Sequence, residues 1–169
     1  MGHGLDNADL TPLISADQLE RVEAMCHAGV DAGATALTGG ARIDRPGHFM
    51  QPTVFTDVRP DMGIARDEIF GPAISLLRFR DTDEAIATAN GTDYGLVAGV
   101  FTRDLDRALH TVQRLEAGQV FVNEWFAGGV ETPFGGMRRS GYGREKGLEA
   151  LDNYLQTKNV AVRLSHPDR

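Results

Sequence analysis

Two short stretches carry residue types at spacings that could do chemistry. In Asp67-Glu68-Ile69-Phe70-Gly71-Pro72, a carboxylate and an aromatic ring stand two residues apart. A carboxylate accepts two hydrogen bonds from a vicinal diol such as a ribose, and an aromatic face stacks on a planar ring. The same residues suit an acidic turn anchored by a buried Phe. The second stretch, Glu131 to Gly147 (ETPFGGMRRSGYGREKG), holds five of the chain's 20 glycines. It also carries Arg138, Arg139, Arg144, Glu145 and Lys146, with two rings, Phe134 and Tyr142. Pro133-Phe134-Gly135-Gly136 permits a tight turn and the close approach of another backbone or a ligand. Glu145, set between two cations, reads either as a solvated ion pair or as a functional carboxylate.

Other chemistries find little support. The single cysteine, Cys26, rules out an internal disulfide. It is either a nucleophile or a small buried apolar residue, and a mid-helix position in an apolar stripe favours the second. The five histidines are scattered without metal-ligand spacing, so no metal site is expected. Gly141-Tyr-Gly143-Arg-Glu-Lys-Gly147 misses the dinucleotide fingerprint by one place and follows no apolar strand. Gly-Lys-Ser/Thr and Gly-x-Ser-x-Gly are both missing. A net charge of -7 argues against nucleic acid and anionic membrane surfaces as partners. The first ten residues carry no secretory pattern and no apolar run reaches the length of a membrane span, so a cytoplasmic protein is expected.

The elements that must position the two stretches follow from periodicity. Ser15-Ala-Asp17-Gln18 is a capping box, followed by Leu19, Val22, Cys26 and Val30 on one helical stripe, with Gly33 as the stop. Thr35 to Leu37 is a short strand. Phe49 to Val58 is β-rich, and its Pro52 suggests an edge or irregular strand. Ala73 to Phe79 is a strand, and Asp81 to Asn90 a capped helix. Leu96 to Phe101 reads as a strand buried on both faces. Asp104 caps a helix whose apolar face is Leu105, Ala108, Leu109, Val112 and Leu115, and Gln119 to Val122 is the next strand. The order strand, helix, strand, helix, strand over 73 to 122 points to an α/β fold with a mainly parallel sheet flanked by helices. Tyr154 to Leu164 is partly alternating, and is either a returning strand or an arm that adds to another subunit's sheet.

The joint pattern resembles the aldehyde dehydrogenase superfamily. DEIFGP at 67 to 72 resembles its acidic-acidic-Ile/Val-Phe-Gly-Pro motif, and PFGGMRRSGYGREKG at 133 to 147 its PFGG-x-K-x-SG-x-GRE-x-G motif, with Arg138 where the family usually has Lys. Tyr94-Gly95-Leu96, Phe101-Thr102-Arg103-Asp104, Gly118-Gln-Val-Phe-Val-Asn123 and Gln51-Pro-Thr-Val54 also match in order. The resemblance implies oxidation of an aldehyde to a carboxylic acid with NAD or NADP, through a Cys thiolate and a Glu-activated water. It implies that Glu68 holds the nicotinamide-side ribose, that Phe70 packs against the nicotinamide end, and that Trp125, Phe126 and Phe134 line the aldehyde tunnel. Glu145 is implied as a proton-relay group and Arg144 as an interface residue. It further implies a C-terminal third of the family's chain, truncated relative to it: a partial catalytic domain over 1–153, and an oligomerisation strand and tail over 154–169. The nucleophile, the general base and the main cofactor domain lie outside such a segment, and Cys26 does not occupy the nucleophile's place. Expected partners are therefore an aldehyde, a second copy of the chain or a complementary chain. Three readings follow: an enzyme part inactive alone, a non-catalytic assembly module, and a residual nucleotide-binding fragment in which Glu68 and Phe70 supply one wall of the cofactor site.

Overall fold

In the computed structural model, residues 1–164 are described; residues 165–169, the end of the tail assigned above to the oligomerisation segment, lie outside the described residues. Helices and strands are interspersed along the chain, and the fold is α/β. The chain divides into two compact units. The first comprises Met1–Asp93 with Leu109–Leu115, and the second Tyr94–Ala108 with the chain from Glu116 onward.

The first unit is built on helix α1, Ala16–Asp31. Ser15 caps it in extended backbone, its hydroxyl accepting from the Gln18 amide at 3.2 Å. Such a cap contributes about 1 kcal/mol. The other half of the expected box does not form, because the Gln18 side chain reaches elsewhere (below). Ala32 closes the helix, and Gly33 follows at φ +103°, the left-handed position where glycine carries no Cβ penalty. Leu19, Val22, Cys26 and Gly29 are buried, whereas Val30 is exposed. Gly29 takes the place expected for Val30 because the Ile64 side chain fills the space there: a Cβ on Gly29 would lie 2.7 Å from it.

Strands β1 (Thr35–Thr38), β2 (Thr53–Thr56) and β3 (Ala73–Ser75) form one sheet with β2 in the middle. β1 pairs antiparallel and β3 parallel to it. The edge assignment for residues 49–58 is thus corrected. Pro52 precedes the first paired residue, so its missing N–H costs the ladder nothing, and Thr53 and Phe55 turn inward at 2 % and 0 % exposure. The short helix α2 (Gly63–Arg66) and the capped helix α3 (Thr82–Ala89) complete the unit. Asp81 accepts from the Glu84 amide, while Glu84 reaches back one residue further than the usual box, to the Arg80 amide at 2.8 Å. The core joins Leu19, Val22 and Cys26 of α1 to Met50, Phe55, Met62, Ile64 and Ile69.

In the second unit, β5 (Val97–Val100) and β6 (Gln119–Val122) pair in parallel, and β4 (Tyr94–Gly95) pairs antiparallel with β7 (Met137–Arg138). Helix α4, Leu105–Arg114, follows β5 in the chain, with Leu105–Ala108 in this unit and Leu109–Arg114 in the first. The single parallel sheet expected over 73–122 resolves into separate ladders, since β3 joins β2 and β5 joins β6. β5 is half-buried rather than buried on both faces. On α4 the buried residues are Ala108 and Thr111, while Leu105 and Leu109 are exposed. Beyond a 3-10 segment at Leu148–Asn153, residues 155–164 form no strand and are exposed. Among the described residues no helix is long and apolar enough to cross a membrane.

Candidate functional site

Each unit presents one of the two chemical stretches. In the first, Asp67 closes the short α2 and the chain runs into 67–72 just before β3. Ile69 is buried among the core residues, and its neighbours Glu68 and Phe70 are both exposed. Burying Ile69 contributes roughly 1.5–3 kcal/mol and fixes which way its neighbours face. The Phe70 ring is 65 % exposed, which overturns the alternative of a buried Phe anchor; Ile69 is the anchor. Phe70 has φ +60°, a left-handed backbone that a bulky residue adopts only when its surroundings impose it.

Two contacts with α1 impose it. Gln18 Nε2 donates to the Phe70 carbonyl at 2.9 Å. One turn further along, Gly71 lies so close to α1 that a Cβ would sit 2.7 and 2.8 Å from the two γ carbons of Val22. The Pro72 carbonyl then accepts from the Thr53 amide at 2.8 Å, joining the loop to β2. An exposed carboxylate and an exposed ring on a loop pinned at both ends form a wall to which a diol and a planar ring can bind together.

In the second unit the loop 131–147 folds back on itself. Phe134 and Glu145 exchange two backbone hydrogen bonds, each 2.7 Å. The half-buried Arg144 donates from Nη1 to the Gly136 carbonyl at 3.0 Å and the Gly143 carbonyl at 2.7 Å. Its own carbonyl accepts from Asn153 Nδ2 at 2.6 Å. Gln119 Nε2 donates to the Pro133 carbonyl at 3.1 Å, and Ser140 Oγ accepts from the Gly95 amide at 3.0 Å. Arg138 pairs with Glu116. The Lys146 ammonium stands 5.7 Å from the centre of the Phe134 ring. The expected ion-pair cluster is therefore dispersed: Arg144 serves carbonyls, Lys146 a ring, and among the described residues no cation pairs with the exposed Glu145 carboxylate.

The aromatic residues divide as well. Trp125 and Phe126 meet edge-on with centroids 5.5 Å apart, and each lies 6.1 Å from the buried Phe121. Gly99 on β5 makes room, since a Cβ there would lie 2.7 Å from the indole. Phe134 belongs instead with Lys146. Asn123, which ends β6 at φ +56°, clamps Thr102 by accepting from its amide and donating to its carbonyl, both at 2.8 Å. This clamp and the Gln18 contact were not foreseen. Both join residues far apart in sequence, and the only local signal was a polar residue at an element's end. Cys26 is fully buried, and burial pushes its thiol pKa up, with the nearby Glu23 charge adding to the rise. Among the described residues no group of three or more His, Cys, Asp or Glu is placed to hold a metal ion.

The sequence profile of the aldehyde dehydrogenase family matches residues 1–160. The chain belongs to the aldehyde dehydrogenase family. Relatives within it include the mitochondrial benzaldehyde dehydrogenase of Antirrhinum majus, 47 % identical over 92 % of this chain and 29 % of that protein. The betaine aldehyde dehydrogenase of Rhizobium leguminosarum is 48 % identical over 96 % of this chain and 34 % of its own length. The crystal structure of an NAD-dependent aldehyde dehydrogenase from Sinorhizobium meliloti superposes with a TM-score of 0.89 at 44 % identity, covering 96 % of this chain and 32 % of the other. An NAD+ complex of the Bacillus cereus aldehyde dehydrogenase gives 0.89 at 42 %, covering 95 % and 33 %. The chain thus spans about a third of the length of the aldehyde dehydrogenases it matches. Its fold is the corresponding α/β part of theirs.

Proposed function

We propose that this chain supplies one wall of the active site of an NAD- or NADP-dependent aldehyde dehydrogenase, and that the 169 residues alone do not turn over an aldehyde. The observation that carries the reading is the outward placement of Glu68 and Phe70 on either side of the buried Ile69. The two groups fit the nicotinamide side of such a cofactor, with the Glu68 carboxylate accepting from ribose hydroxyls and the Phe70 ring packing on the nicotinamide end. When bound, the dinucleotide accepts the hydride given up by the aldehyde. In this reading Trp125, Phe126 and Phe134 line the aldehyde's approach, where apolar surface excludes water. In the same reading the exposed Glu145 carboxylate serves the proton relay. Arg144 already braces the loop from within, and its interface role extends that brace to a neighbouring subunit.

The predicted inactivity rests on the thiol. Cys26 is the only cysteine of the 169 residues, it is buried on the inner face of α1, and its thiolate is disfavoured. A thiol of this kind does not attack a carbonyl. The test is an NMR titration of the chain with NAD. Shifts centred on residues 67–72 are expected, and they should vanish in Glu68→Ala. Shifts centred elsewhere, or none at millimolar NAD, overturn the reading.

A second reading is favoured by the tail. Val160, Val162 and Leu164 alternate along the arm and are 70 %, 72 % and 82 % exposed, as in a strand able to add to the sheet of a second copy. Light scattering after size exclusion is expected to show a dimer or larger assembly that dissociates on Val162→Asp. A monomer at micromolar concentration contradicts it.

A further inference from the structure

We infer that His110, by gaining or losing one proton, selects which side chain holds Asp83 across the seam between α3 and α4. The switch is independent of the aldehyde dehydrogenase reading. Its residues all belong to the first unit, which contains α3 and residues 109–114 of α4. Asp83 stands in the first turn of α3. His110 and Arg114 stand one turn apart on α4, and both reach Asp83. Arg114 Nη1 pairs with Asp83 Oδ1 and lies 2.8 Å from His110 Nε2. The same His110 Nε2 lies 3.5 Å from Asp83 Oδ1. One imidazole nitrogen thus has both a guanidinium and a carboxylate within reach.

The two contacts need opposite protonation states. A guanidinium only donates, and an ionised carboxylate only accepts. The 2.8 Å contact therefore exists only when Nε2 carries a lone pair and the ring proton sits on Nδ1. Arg114 Nη1 then bridges His110 and Asp83. When the ring is protonated, Nε2–H is itself a donor, repelled by Arg114 and drawn to Asp83. Asp83 is ionised on both sides of this change, because Arg114 first and His110 second hold its carboxyl below the ordinary carboxylate range. It gains His110 as it loses Arg114, so the two helices stay linked while a guanidinium is released to solvent. The Arg114 backbone keeps its place, since its carbonyl accepts from Asn90 Nδ2 at 2.8 Å just past the end of α3. Among the described residues, the charged groups in contact with the imidazole are Asp83 from α3 and Arg114 from α4. Arg80 beside α3 pairs with Glu84. Asp106 and Arg107 stand one turn before His110 on α4, where Arg107 pairs with Asp104. The His110 side chain is 53 % exposed, so protons reach the ring from solvent.

The experiment follows the imidazole nitrogens of the full chain by 15N NMR from about pH 8 to about pH 5, the range in which histidine side chains change charge. The Arg114 guanidinium N–H signals are read alongside, and His110→Gln assigns the His110 ring among the five histidines. Neutral His110 is expected in the Nδ1–H form, with Nε2 unprotonated. As the ring takes up its proton, the Arg114 signals should shift with the same midpoint and lose their protection from exchange with water. In His110→Gln that shift should vanish. In Arg114→Met, which keeps a long side chain but donates nothing, the neutral ring should change to the Nε2–H form and turn its proton to Asp83. Arg114→Lys should restore the Nδ1–H form, a recovery that a merely structural role for residue 114 would not produce. Neutral His110 protonated on Nε2 in the unsubstituted chain overturns the inference, and that result needs no variant to fold. Arg114 signals that stay fixed while His110 titrates overturn it too, as does a tautomer unchanged by Arg114→Met.

Discussion

Replacing Gly71 by Ala sets a methyl group against the core at the point where the Glu68–Phe70 loop meets α1. The added carbon would lie 2.7 Å from one γ carbon of Val22 and 2.8 Å from the other. Carbon atoms in contact prefer about 3.5–4.0 Å, so either the loop or the valine must shift by roughly 1 Å. Val22 has no room to give, because it is fully buried and β-branched. Overpacking of this kind costs about 1–3 kcal/mol. Gly71 is not at positive φ, so Ala also stiffens the unfolded chain and returns about 0.4–1 kcal/mol. The balance runs from about zero to a loss of roughly 2.5 kcal/mol, and packing sets its size. Urea denaturation followed by circular dichroism measures it. The decisive test is a cycle with Val22→Ala, which removes both opposing carbons and by itself costs about 2 kcal/mol. If the contact is as described, the double variant is more stable than the sum of the singles by about 1 kcal/mol or more. Additivity within about 0.5 kcal/mol would refute the packing, and with it the claim that α1 is the platform of the loop.

Two further predictions concern titratable groups. Cys26 in the folded chain should react with a thiol reagent at neutral pH about a hundredfold more slowly than in urea, since burial disfavours its thiolate and modification waits on opening; equal rates in the two states contradict the burial. Glu23, Asp83 and Glu84 are held below the ordinary carboxylate range, chiefly by hydrogen bonds from Arg42, from Arg114 and then His110, and from Arg80. A lowered folded-state pKa stabilises above the unfolded value and is lost as pH falls through the folded one, so the urea midpoint should hold from pH 7 to about 5 and decline below about 4. The decline should shrink in Arg42→Ala and Arg114→Ala and in high salt, and a midpoint that rises on acidification contradicts it.

Much of the fold was legible because local chemistry determines it. Ser15, Gly33 and Asp81 punctuate the helices, and helical spacing placed Leu19, Val22 and Cys26 inward. What local pattern missed was set by distant partners. Pro52 looked like an edge signal, yet β2 is central because the proline falls one residue before the ladder. Leu105 and Leu109 looked like core, yet Ala108 and Thr111 are the buried residues of that helix. The motifs singled out Glu68, Phe70, Phe134, Arg144 and Glu145 as candidates, but composition could not say which residue of DEIF was the anchor. Burial assigns that role to Ile69 and leaves Glu68 and Phe70 outward. The charged run at 144–146 carries no sign that Arg144 would bond carbonyls and Lys146 a ring, since both partners come from across the fold of the loop.

The most direct measurement is aldehyde-dependent NADH formation by the pure 169-residue chain, beside Cys26→Ala and Glu145→Ala. The account predicts that all three give the same background rate, because the only thiol is buried in α1 and cannot form the bond to the aldehyde. Turnover by the unsubstituted chain well above both variants would contradict it.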